Sequence, residues 1–163
     1  YPISFSRLVA GAASNDKFLE PEFLNADAKI GDTGVDEIAH ANIKFKNGIE
    51  AKVSTAIRES MKNNAIIRGT NGSIELPDPW MPGRDGGPYH AQIIITKNNE
   101  EEIIDVKGPE HLFFFEAELA SQSIAKEKVQ APHPAMSWDD TLGNLKALDQ
   151  WRDKVNYKLP QDE

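Results

Sequence analysis

Residues 35–58 read V-D-E-I-A-H-A-N-I-K-F-K-N-G-I-E-A-K-V-S-T-A-I-R, and this stretch decides the fold. Apolar and polar residues alternate on either side of Asn47-Gly48, the signature of two antiparallel strands and a tight turn. The loop length sets the register. A two-residue loop places Phe45 opposite Glu50. A three-residue loop, Lys46-Asn47-Gly48 with Gly48 left-handed, pairs Phe45 with Ile49, Ile43 with Ala51 and Ala41 with Val53. On the other face it sets Lys44 against Glu50, His40 against Ser54 and Asp36 against Arg58. Slipping by one residue destroys both matches, so the pattern predicts the bulged three-residue turn and a sheet with one apolar face.

Working outward, period two runs from Glu22 to about Leu76. It includes I-I-R-G-T-N-G-S-I-E-L-P-D-P-W, residues 66–80. Gly69 and Gly72 invite a phosphate-loop reading, but Gly-Lys-Ser/Thr is missing and strand-like residues follow where a helix N-terminus would be needed. The stretch instead reads as a hairpin turning at Asn71-Gly72, with Arg68 facing Glu75 and Ile67 facing Leu76. Residues 77–90 are too rich in Pro and Gly for regular structure, and a loop of this length is usually a lid or a cover over a sheet. Its Trp80, Arg84 and Tyr89 supply aromatic surface and a cation of the kind small-molecule pockets use, although Trp80 could equally plug a sheet edge. Strands resume at Gln92–Thr96 and Glu102–Val106 around Asn98-Asn99.

Helices lie at both ends. Pro2 to Ala10 has Pro at the first helical position, Phe5, Leu8 and Val9 on one face, and Gly11 as a stop. A second helix runs from about His111 to Lys126. A third starts after Ser137, an N-cap followed by Asp139 and Asp140, with Trp138, Leu142, Leu145, Leu148 and Val155 as its apolar face. The expected class is α+β: an open, mainly antiparallel β-sheet with helices packed on one face.

With 163 residues, 39% of them hydrophobic, the chain suits one soluble domain spanning residues 1–163. A net charge of -8 argues against nucleic acid, whose backbone calls for a basic surface. No apolar run is long enough to span a bilayer. Cysteine is absent, which removes disulfides and thiolate metal sites and suits a reducing, cytoplasmic compartment. His40, His90, His111 and His133 show no paired metal-ligand spacing, so no metal is expected. No nucleophile elbow or tuned carboxylate pair stands out. The first residue is Tyr and a helix follows at once, so the chain is expected to begin inside a larger protein, truncated at its N-terminus.

Four features in order resemble the C-terminal domain of the glucose–fructose oxidoreductase/inositol dehydrogenase (Gfo/Idh/MocA) family. They are Y-P-I-S-F-S-R-L-V-A-G at the start, V-D-E with the strand pair A-N-I-K-F-K-N-G-I-E-A, I-I-R-G-T-N-G-S-I-E-L-P-D-P-W, and A-L-D-Q-W-R near the end. The resemblance covers nearly the whole chain and looks nearest to the sugar and dihydrodiol dehydrogenase branch. It implies the substrate-binding and oligomerisation part of an NAD- or NADP-dependent oxidoreductase acting on a sugar, polyol or related CH–OH group. Tyr1 would be the catalytic residue that holds or protonates the substrate oxygen, with Trp80, Arg84 and Arg58 bordering the substrate. The partners implied by that scheme are the substrate and further copies of the chain, met through the sheet face to make a homo-oligomer. The Gly-rich dinucleotide fingerprint and the family's Glu-Lys-Pro segment are both missing, so the cofactor would be held by a Rossmann domain absent from this chain. The residues alone also suit a non-catalytic α+β module for dimerisation or small-ligand binding.

Overall fold

The computed structural model describes residues 1–82 and 90–159. It divides into two compact units, one formed by Tyr1–Met61 with the chain from Gln130 onward, the other by Lys62–Val129.

The first unit holds helix α1 (Pro2–Ala12), strands β1 (Pro21–Ile30), β2 (Asp36–Phe45) and β3 (Glu50–Ala56), and the last helix, α3 (Trp138–Lys154). The strands form an antiparallel sheet in the order β1-β2-β3. The β2–β3 register is the one expected: Ile43 lies opposite Ala51, Ala41 opposite Val53 and Lys44 opposite Glu50. Gly48 takes φ +84°, and Phe45 N–H donates to Ile49 O at 2.8 Å. Asn47 contributes more than a turn. Its amide donates to Ala10 O (3.0 Å) and Ser14 Oγ (2.8 Å), which ties the hairpin tip to the end of α1 and satisfies a terminal carbonyl.

Alternation puts Ala39, Ala41, Ile43, Phe45 and Val53 into the core with Phe23 of β1, and α1 and α3 cover that face with Ile3, Ala10, Ala147 and Trp151. A bulge between Phe23 and Asn25 shifts β1 by one residue, so that Ala26 and Ala28, not Asn25 and Asp27, continue inward.

Both helices in this unit correct the sequence reading. α1 runs through Gly11 to Ala12, and its buried side is Ile3, Arg7, Ala10 and Gly11, not Phe5, Leu8 and Val9. Gly11 is there for close packing: a Cβ would collide with the backbone of Phe18. α3 begins as expected, with Ser137 Oγ accepting from Asp140 N at 3.2 Å. Its buried side, however, is Asp140, Gly143, Ala147 and Trp151, while Trp138, Leu142, Leu145 and Leu148 are exposed. The small residues let the helix approach closely, Trp151 meets Phe23 at 6.0 Å between ring centroids, and Asp140 is drawn inward by a buried cation. Of the expected apolar face only Val155 packs against the core.

The second unit contains β4 (Ala65–Gly69), β5 (Gly72–Leu76), β6 (His90–Lys97) and β7 (Glu100–Lys107), an antiparallel sheet in that order, followed by α2 (Leu112–Ala125). The α+β class with antiparallel strands therefore holds, with the strands divided between two sheets. The β4–β5 turn differs from expectation. Gly69 lies opposite Gly72, Thr70-Asn71 make the turn, and Arg68 faces Ser73, not Glu75. Neither turn residue has the positive φ that a type I′ turn needs. Gly72 belongs to the strand because β6 lies against it so closely that a Cβ would strike Thr96 O. The Asn98-Asn99 turn is as expected, with φ of 52° and 64°. His111 caps α2 by accepting from Phe113 N at 3.4 Å.

Candidate functional site

Tyr1 is the N-cap of α1. Its carbonyl accepts the first helical hydrogen bond, from Phe5 N at 2.9 Å, so the helix fixes its backbone. The residue is 84% exposed, which leaves the phenol, both donor and acceptor, presented at the surface.

Two turns further along, α1 carries a buried cation. Arg7 is 0% exposed, and its guanidinium forks onto Glu20, Nε to Oε2 at 3.2 Å and Nη2 to Oε1 at 2.8 Å. Nη1 donates to both the carbonyl oxygen (3.0 Å) and Oδ1 (2.5 Å) of Asp140 in the first turn of α3. The Phe18 ring lies 4.6 Å from the guanidinium carbon. Gly143 makes the room, since a Cβ there would collide with Arg7 Nη2 and Glu20 Oε1. None of this was read from the sequence. The available signals were an arginine on a helix otherwise nearly free of charge and a glycine inside α3, where it costs about 1 kcal/mol relative to alanine.

Arg58 follows β3 and faces Glu37 (Nε to Oε1, 3.6 Å), not the expected Asp36. Glu37 also holds Lys29 at 3.0 Å, and that hydrogen bond raises the lysine's pKa. His40 lies opposite Ser54 as expected, with Nδ1 and Oγ 2.8 Å apart, and Asp27 is opposite His40 on its other side. The outward face of this sheet is thus a polar ladder, continued by Asn42 donating to Asn25 at 2.6 Å. Tyr1 and Arg58 belong to the first unit. Trp80 belongs to the second, half-buried just after β5. Arg84 and Tyr89 lie outside the described residues. Among the described residues no group of three or more metal-ligating side chains could hold a metal ion, and no helix is long and apolar enough to cross a membrane.

Gly69 and Gly72 do not form a phosphate cradle. The glycine pair that could have cradled a pyrophosphate is a hairpin, and Gly72 is packed against the β6 backbone, with strand, not helix, on both sides.

Comparison with known proteins bears on the whole chain. No family model matches. All of the chain aligns with mouse trans-1,2-dihydrobenzene-1,2-diol dehydrogenase at 21% identity, covering 46% of that protein. An uncharacterised oxidoreductase of Rhizobium meliloti is 26% identical over 91% of the chain and 42% of its own length. The fold matches KijD10, a 3-ketoreductase from Actinomadura kijaniata crystallised with NADP, with a TM-score of 0.75 and 20% identity over 95% of this chain and 45% of that one. Over that span the chain shares the α+β fold of KijD10. It spans about half the length of the curated relatives it matches.

Proposed function

We propose that this chain is the C-terminal, substrate-side part of an NAD(P)-dependent oxidoreductase that acts on a CH–OH group of a sugar, polyol or dihydrodiol. The observation that carries the reading is the alignment of the entire chain with dihydrodiol dehydrogenases, with Tyr1 set at the start of a helix. KijD10, a 3-ketoreductase crystallised with NADP and TDP-benzene, supports NADP-linked chemistry at a carbonyl or hydroxyl carbon.

Tyr1 acts at the substrate oxygen. Its phenol hydrogen-bonds the carbonyl or hydroxyl and supplies or accepts the proton that accompanies oxidation or reduction at the adjacent carbon. Arg58, held by Glu37 in the same unit as Tyr1, is the further polar contact we assign to the substrate. NAD or NADP would supply the hydride chemistry and is bound by a dinucleotide domain elsewhere in the same protein. The polar face of the β1–β3 sheet is where copies of the chain would associate. A cytoplasmic setting agrees with the cysteine-free sequence.

The test is a pair of measurements. Calorimetry on the 163-residue chain should show no stoichiometric binding of NADPH or NADH. The full-length natural protein should bind one of them and oxidise or reduce a dihydrodiol or sugar substrate. Stoichiometric cofactor binding by the chain alone, or no cofactor binding by the full-length protein, overturns the proposal.

A further inference from the structure

We infer that Arg7 is a positioning residue, whose clamp between Glu20 and Asp140 sets where Tyr1 stands. This rests on the reading that Tyr1 acts at the substrate oxygen.

The clamp joins three pieces of chain. Arg7 is on α1, Glu20 lies in the connection from α1 to β1, and Asp140 opens α3. Four donor contacts leave the guanidinium plane little freedom, and the connection is also held at the main chain, where Leu19 N donates to Arg7 O at 3.1 Å. The socket is shaped around the cation: Gly143 withholds a side chain and Phe18 covers it.

Stability is a poor explanation for this arrangement. Desolvating a buried pair such as Arg7–Asp140 commonly costs as much as its pairing returns, and replacing a whole pair by apolar residues of similar volume is often tolerated, although removing one partner strands the other charge. What the fork offers is geometry. An apolar contact between α1 and α3 permits sliding and rotation, whereas the guanidinium bonds are lost on displacement. One residue of helix advances about 1.5 Å, and Tyr1 is fixed to α1 through the Phe5–Tyr1 hydrogen bond. A shift of about 1 Å in a catalytic group can cost on the order of 10²-fold in rate. Lysine cannot substitute, because one ammonium cannot reproduce a planar fork.

A double-mutant cycle in the full-length natural protein distinguishes positioning from mere support. Arg7→Met should still fold by circular dichroism, with a lower melting temperature because it strands the Asp140 carboxylate, and lose about 10- to 100-fold in kcat with a smaller change in KM. Arg7→Lys should not restore the rate. In a Tyr1→Phe background Arg7→Met should add little, because Arg7 acts through Tyr1. Independent, multiplying losses, or an unchanged kcat in Arg7→Met beside an impaired Tyr1→Phe, overturn the inference while leaving the Tyr1 reading intact. An unimpaired Tyr1→Phe defeats the Tyr1 reading and this inference with it. Should Arg7→Met fail to fold, Glu20→Gln carries the same cycle, because it keeps the shape of the socket and removes one charge.

Discussion

Gly143 sits in a helix interior, where alanine would ordinarily be the more stable residue by about 1 kcal/mol. The ion pair behind it, buried Arg7 with half-exposed Glu20, reverses that preference. Gly143→Ala should destabilise the chain by about 1–3 kcal/mol, because the new methyl group displaces Arg7 or Glu20. Urea unfolding measures this, and a more stable variant would show that the socket can relax. Charge at the surface makes a second prediction. Glu75 is held below the ordinary glutamate range by the Asn64 amide at 3.0 Å and then by Lys62 at 3.2 Å. A carboxylate whose folded pKa is depressed contributes stability above its unfolded pKa, and that contribution fades as pH falls through the folded value. An NMR titration should therefore place the Glu75 midpoint below 4.5, and Asn64→Ala should move it upward. A midpoint unchanged by that substitution would contradict the assignment.

At the scale of elements, the β2–β3 hairpin was readable because its two faces make independent demands. Only one register satisfies Ile43 with Ala51 and Lys44 with Glu50 together. The β4–β5 hairpin was not, since the constraint on Gly72 comes from Thr96 on a third strand, more than twenty residues away. The inward side of α3 was hidden for a related reason. Periodicity finds the largest apolar residues, yet this helix is seated by two small ones, an aspartate and Trp151, and the partner of that aspartate lies on α1. The two faces should respond oppositely to mutation. Trp151→Ala should cost about 3–5 kcal/mol, whereas Leu145→Gln should stay within about 0.5 kcal/mol. Chemical denaturation of the isolated chain checks both, and equal losses would contradict the orientation of α3.

For the molecule as a whole, fold class and family resemblance were visible in the order of motifs, each of which is unremarkable alone. The candidate site was visible only in part. Tyr1 drew attention through the family motif, and the clamp beneath it escaped notice because Arg7, Glu20 and Asp140 are brought together by tertiary packing from positions up to 133 residues apart. The chain spans about half the length of the oxidoreductases it aligns with, and the proposed substrate chemistry rests on the phenol at the head of α1. The most direct measurement is kcat/KM of Tyr1→Phe in the full-length natural protein, with substrate and cofactor in the productive pairing. The account predicts a loss of at least about 10²-fold, the scale of a positioned proton donor, with cofactor affinity unchanged. A Tyr1→Phe enzyme that turns over like the parent would contradict it.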